Sequence, residues 1–220
     1  MGEKSRHEEA ALKKFRPLAA NLCHHPEQMR DENLLQWLRA RDCNIKAAEE
    51  MLRKAMLWRQ KNKIDEILAW QAPSEFVSQY PYDMDGEDKE GYPVFLVPLG
   101  RWDIRRAYES GHQKLMRQYI DQLLERALEK ARMKNLTDPG SKYVNQAVFI
   151  WDLDGLTMRQ MTSTGMIDVC LDICKNLENH YPEIMKISIS INGKFKEQIF
   201  EMRLCETNMF LDTGYTVECK

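Results

Sequence analysis

The chain has 220 residues, with 32 Lys and Arg against 34 Asp and Glu and a formal net charge of -2 at pH 7. That near balance argues against the one-sided basic surface of a nucleic-acid-binding protein, and the length suits one good-sized domain with a small appendage that needs no disulfide staple. The six cysteines (Cys23, Cys43, Cys170, Cys174, Cys205, Cys219) include no C-x-x-C pair and no His at zinc-like spacing, so no metal site is expected and a reduced, cytoplasmic setting fits.

The first residues, Met1 to Glu9, lack a hydrophobic signal region, and no window approaches the ~20 apolar residues of a membrane span. Arg6 stands where Gly2 myristoylation needs Ser or Thr, and Cys219 is misplaced for prenylation. Any membrane contact is therefore expected to be peripheral. A helical fragment is predicted around Ala10 to Leu22, ending near Cys23-His-His-Pro26. Leu34, Leu35 and Leu38 then set one helical face, and Asn44 is placed to cap a second helix whose apolar positions Ala48, Met51, Leu52 and Ala55 keep helical spacing. A third pattern, Ile64 to Trp70, puts Ile64, Ile67 and Leu68 on one side before Pro73 interrupts. These helices predict a small all-α domain over residues 1–72, followed by an α/β domain over 73–220.

Residues 80–92, rich in Asp, Glu and Gly, read as a surface loop or hairpin turn. Asp83, Asp85 and Asp88 have the wrong glycine offset for a calcium loop and lack its closing Glu. Pro93 to Leu99 predicts a strand. The helical pattern from Gly111 to Asn135 is expected to bury Leu115, Tyr119, Leu123, Ala127 and Leu128 and to expose Arg117, Glu125, Glu129 and Lys130. Ala147 to Trp151 is apolar on both alternating faces and predicts a central strand buried on both sides, left through Asp152, Asp154 and Gly155. A second helical pattern covers Arg159 to Asn179, with Met166, Val169, Cys170, Ile173 and Leu177 as core candidates. Pro182 follows as a stop signal. Lys186 to Asn192 alternates strictly, with Ile187, Ile189 and Ile191 on one face. Phe195, Ile199 and Met202 suit a short helix face. A buried strand between two amphipathic helices is an α/β crossover pattern, with helical layers expected above and below the sheet.

No G-x-S-x-G elbow, Walker loop, dinucleotide glycine fingerprint or H-E-x-x-H occurs, and His112 and His180 have no nucleophile or orienting acid nearby in sequence. An enzyme is therefore not expected, and neither is a cofactor. The 13 Met, seven Phe, five Trp and eight Tyr suit an ordinary core and equally suit a cavity for a flexible apolar ligand.

Leu34-Leu-Gln-Trp-Leu-Arg-Ala-Arg41, Asn44-Ile-Lys-Ala-Ala, Met51-Leu-Arg-Lys with Trp58-Arg59, Ile64 to Trp70, Asp85 with Gly91-Tyr-Pro-Val94, Asp152-x-Asp-Gly155 and Asn179-His-Tyr-Pro-Glu183, taken in order, resemble the CRAL-TRIO lipid-binding family over roughly residues 10 to 192. Within that family they look most like the branch containing supernatant protein factor, also called tocopherol-associated protein. The resemblance implies a CRAL-TRIO lipid-binding sheet with crossover helices, flooring an apolar pocket used to extract and carry one lipid. It implies a non-enzymatic, monomeric carrier of a phospholipid, phosphoinositide or tocopherol-like ligand that meets membrane surfaces transiently. It further implies head-group roles for Arg41 and Glu183, which could instead form an ion pair between the two domains. Phe149, Trp151 and Ile189 are the expected apolar lining.

The resemblance also has a limit. Where the family continues with Asn-Ala-Pro, an apolar gating helix and a further strand, this chain reads Asn192-Gly-Lys-Phe-Lys-Glu and then an unalignable segment, Asn208 to Lys220. A domain incomplete after about residue 192, from truncation or alternative splicing, is the expectation. Its counterpart is a regulatory or protein-interaction form that transfers no lipid.

Overall fold

The computed structural model describes residues 4–193; the stretches around Phe195 to Met202 and Asn208 to Lys220 lie outside the described residues. Three helices open the chain: α1 (Arg6–Ala19), α2 (Asp31–Arg39) and α3 (Ile45–Asn62). α1 starts earlier than its apolar pattern because Ser5 and Glu8 form a reciprocal cap. Ser5 Oγ accepts from the Glu8 amide at 3.1 Å, and Glu8 Oε2 accepts from the Ser5 amide at 2.8 Å. Asn44 caps α3 as expected, its Oδ1 accepting from the Ala47 amide. Phe15, Leu34, Leu35, Leu38, Ala48 and Leu52 are fully or almost fully buried in one shared cluster. Ile64–Ala69 is a 3-10 helix rather than an α-helix. With three residues per turn, Ile64 and Ile67 share the buried side while Leu68 turns outward, which corrects the face expected from an α-helical count.

Beyond α4 (Ser74–Gln79), the strands β1 (Asp83–Glu87) and β2 (Pro93–Val97) form an antiparallel hairpin. β1 is a strand where a loop or turn was the expectation. Its Asp-Met-Asp-Gly-Glu sequence has almost no apolar signal, and its charges sit on an exposed sheet edge, where they discourage pairing with another chain. After α5 (Ile104–Glu109) and α6 (Gln113–Thr137) comes β3 (Ala147–Asp152); α7 (Met158–Met161) and α8 (Thr164–His180) then lead to β4 (Met185–Ile191). The sheet order is β1-β2-β3-β4, and β2, β3 and β4 are parallel. Stepping sequentially from β2 to β3 to β4 through right-handed crossovers places α6 and α8 on the same side. The expected two-layer cover is therefore one-sided among the described residues.

The helix-covered face holds the main core: Phe95, Val97, Ala147 and Phe149 meet Met116, Tyr119, Ile120 and Leu123 of α6 and Met166 and Val169 of α8. Tyr119, Leu123 and Ala127 are buried as expected. Glu125 is not exposed as expected but buried, because it holds an ion pair described below, while Leu115 and Leu128 are only half-buried. The second helical pattern breaks into α7 and α8, with Ser163 capping α8 through the Met166 amide.

The Asp152-x-Asp-Gly155 loop rests directly on the 3-10 turn Leu99–Arg101. A Cβ on Gly100 would overlap the Asp154 carbonyl oxygen and come within 2.6 Å of Leu153 backbone. Gly100→Ala is expected to cost about 1–3 kcal/mol of stability, seen as a lower urea midpoint with an unchanged m-value.

Candidate functional site

Strand register decides which side chains can form a site. Phe95 pairs with Phe149 and Phe149 with Ser188; Leu96 pairs with Ile150 and Ile150 with Ile189. Because paired residues share a face and neighbours alternate, Val94, Leu96, Val148, Ile150, Ile187, Ile189 and Ile191 all lie on the face opposite α6 and α8. No described helix runs along it, and only at its Val148 end does α6 reach it, through Ala131 in a buried cluster with Tyr92 and Val144. Leu96 is 38% exposed and Ile187 41%, while Val94, Ile150, Ile189 and Ile191 are half-buried. Covering what is still exposed would add only part of the roughly 1.5–3 kcal/mol that complete burial of such a side chain gives, summed over a contiguous apolar surface.

A closed end bounds this strip. Tyr92, Ala131, Val144 and Val148 form a small buried cluster. Lys186, at the register irregularity of β3 and β4, lies 3.9 Å from the Tyr92 ring centroid and pairs with Asp88 at 2.8 Å and Glu90 at 2.9 Å. Lys142 joins Glu90 at 2.8 Å. From this clasp the apolar strip runs toward the carboxyl ends of the parallel strands, where α/β sheets take their ligands. There the Asp152 carboxylate accepts from the Asn192 side-chain amide at 2.8 Å and the Asp154 backbone at 3.0 Å.

The three expected lining residues are therefore not together. Ile189 belongs to the open face, but Phe149 and Trp151 are on the helix side. Phe149 is completely buried, its ring 5.5 Å from Phe95 and 5.7 Å from Trp151, and the Trp151 indole donates to Ser188 Oγ at 2.9 Å. Leu96, Ile150 and Ile187 are the residues that share the face of Ile189. Sequence alone could have found Ile187 from its spacing to Ile189, but Leu96 and Ile150 require the cross-strand register.

Arg41 and Glu183 do not form the ion pair considered from sequence. The Arg41 guanidinium donates to the Ala40 carbonyl at 2.7 Å, and the cation near Glu183 is Arg39, 3.9 Å away. Arg39 is shared with Glu8 at 2.6 Å, a hydrogen bond that pulls the Glu8 carboxyl down to about 2. Burial raises the pKa of Glu183, and the charge of Arg39 only partly offsets that. Glu183 also has a φ of +53°, a left-handed conformation costing roughly 1–2 kcal/mol for a residue with a Cβ. Its carbonyl accepts from Gln146 at 2.8 Å and Gln36 at 3.3 Å.

A family model described as "CRAL/TRIO domain" matches residues 78–193. The chain belongs to the CRAL/TRIO family. Among its relatives, Protein real-time of Aedes aegypti is 30% identical over 187 residues, covering 84% of this chain and 28% of that protein. CRAL-TRIO domain-containing protein T23G5.2 of Caenorhabditis elegans is 31% identical over 168 residues, covering 74% of this chain and 22% of that protein. This CRAL/TRIO chain thus spans about a quarter of the length of these curated relatives. The crystal structure of Sfh5 superposes with a TM-score of 0.66 at 12% identity, over 86% of this chain and 72% of Sfh5, which shows the same fold. CRAL/TRIO proteins are generally lipid-binding carriers, and no helix among the described residues is long and apolar enough to cross a membrane.

In this CRAL/TRIO chain a buried polar cluster joins α3 to α6 and α8. Arg59 reaches Glu125 with both terminal nitrogens, at 2.6 and 3.2 Å, and Asp65 at 2.6 Å. The Tyr181 hydroxyl donates to the same Glu125 carboxylate at 2.8 Å. Burial alone would lower the pKa of Arg59, but the bond to and charge of Glu125 reverse the direction. Beside it, the Asn176 amide donates to Asp121 while its oxygen meets His180 Nδ1 at 2.7 Å. Burial pushes Asp121 from 3.8 up to about 7 and His180 from 6.5 down to about 4.

The sign of each shift sets a pH profile. Between about 4 and 7 native Asp121 keeps a proton that the unfolded chain has released, so its contribution to stability is lost as pH rises. Between about 6.5 and 4 the unfolded chain protonates His180 before the native state does, so stability is lost as pH falls. The two slopes oppose each other where they overlap. Asp121→Asn, a neutral isostere, is expected to match the parent near pH 4 and to exceed it by on the order of 2–4 kcal/mol at pH 8, measured by urea denaturation across pH.

Proposed function

We propose that this CRAL/TRIO chain binds one lipid molecule on its open sheet face and carries it between membranes without chemical conversion. The observation that carries the reading is the contiguous apolar strip of Leu96, Ile150, Ile187, Ile189 and Ile191, which no helix among the described residues runs along, α6 and α8 having their main packing on the other face. The ligand is a phospholipid, phosphoinositide or tocopherol-like molecule, as in the branch containing supernatant protein factor. Its acyl chain or isoprenoid tail would lie along the strip, gaining about 0.8 kcal/mol per buried CH₂. Arg41 and Glu183 are the proposed head-group residues: a guanidinium suits phosphate and a carboxylate suits hydroxyl donors. Residues 1–72 act as a helical domain and 73–220 as the lipid-binding domain of a monomeric, cytoplasmic protein that docks transiently on membranes.

The test is to purify the full chain without detergent, extract it with organic solvent and quantify the extract by mass spectrometry. About one lipid per chain, enriched over the host membrane composition, is the expected result. An empty protein overturns the reading and supports the second one, a regulatory or protein-interaction form that uses the same face for a protein partner and transfers no lipid.

A further inference from the structure

Four residues, Tyr181 to Ile184, connect the end of α8 to the start of β4, and side chains from α2 and α3 hold this connection and the His180 before it. The Trp58 ring stacks on His180 with centroids 4.0 Å apart and planes 7° from parallel, and meets Tyr181 edge-on at 5.8 Å. Arg59 and the Tyr181 hydroxyl share the Glu125 carboxylate. Gln36 donates to the Glu183 carbonyl, and Arg39 faces the Glu183 carboxylate. Immediately afterwards the Ala147 amide donates to the Ile184 carbonyl at 2.8 Å and the β3–β4 ladder begins.

We infer that Trp58 and Gln36 are positioning residues, fixing β4 through the His180–Glu183 segment, so that the N-terminal helices set the pose of Ile187, Ile189 and Ile191. The backbone argues for this directly. Glu183 adopts a left-handed φ that its own side chain disfavours, so outside contacts must hold it, and two glutamine amides converge on its carbonyl. Among the described residues β4 has a neighbouring strand on one side only, so what anchors its entry point weighs heavily on its stability. The inference rests on the lipid-carrier reading only for its effect on ligand exchange; the mechanical coupling stands apart from it.

Hydrogen exchange of the β4 amides, residues 185–191, in the full chain tests the coupling. His180→Ala removes the stack and is expected to speed β4 exchange about tenfold, and Trp58→Leu, which removes it from the other side, to do the same. His180→Phe keeps a ring on Trp58 while losing the Asn176 contact, and is expected to restore exchange to within about twofold of the parent. Gln122→Ala cuts a different junction, the amide bonds to the Ile67 and Trp70 carbonyls at 2.9 and 2.6 Å, and is expected to leave β4 within about twofold. Unchanged exchange in His180→Ala and Trp58→Leu, failure of His180→Phe to rescue, or equal acceleration by Gln122→Ala overturns the inference. In a second arm, transfer of a fluorescent phosphatidylcholine between phosphatidylcholine vesicles is expected to change by about threefold or more in His180→Ala and to recover in His180→Phe. A parent protein that transfers no probe sinks the carrier reading, and the exchange data then decide the coupling alone.

Discussion

Phe149→Ala is expected to lower the unfolding free energy by about 3–5 kcal/mol, the range for deleting a fully buried aromatic ring. The ring is wholly enclosed and stacked between Phe95 and Trp151 beneath α6, so its removal leaves a cavity in the main core that binds helices to sheet. Rigid backbone on the sheet side limits how far the surroundings can collapse into the space. Urea denaturation followed by circular dichroism would show the loss as a reduced midpoint. Lipid binding by the variant, measured where it remains folded, is expected to stay close to the parent, because no atom of Phe149 reaches the open face.

Ile189→Glu should do the opposite. Ile189 lies two residues from both Ile187 and Ile191 and pairs with Ile150 in the middle of the bare strip. Ile189 is half-buried, so a carboxylate there loses some packing but keeps access to water in the empty protein, and stability is expected to fall by about 1–2 kcal/mol. With a lipid tail in place the carboxylate would have to be desolvated without a partner. That costs about 2 kcal/mol or more, equivalent to roughly 30-fold weaker binding. Vesicle-to-protein transfer of a fluorescent phosphatidylcholine reads the loss, and binding unchanged in Ile189→Glu would place the lipid elsewhere.

The contrast between these two side chains shows where sequence reading succeeds and where it stops. The α/β class, the crossover helices, the Asn44 cap and the core positions of α3 are all legible because each depends on spacing within one segment. β1 was not, because an acidic edge strand carries no apolar alternation. Glu125 reads as a surface residue by its charge, and only the arrival of Arg59 and Tyr181 from distant segments explains its burial. The grouping of Phe149, Trp151 and Ile189 fails for a related reason. Apolar residues on both faces of β3 look alike in sequence, and a face is assigned only once β3 is paired with β2 and β4. Arg39 rather than Arg41 faces Glu183 because α2 ends at Arg39, and Arg41 lies past the Ala40 cap in the turn that follows.

Photocrosslinking tests the central claim most directly. The purified chain is loaded with a phosphatidylcholine carrying a diazirine in its acyl chain, irradiated, digested and mapped by mass spectrometry. Labels should fall on Leu96, Ile150 and the alternate isoleucines Ile187, Ile189 and Ile191, sparing Ser188 and Phe149. Labels confined to the α6 and α8 side, or scattered without regard to strand alternation, would contradict the assignment of the open face as the lipid site.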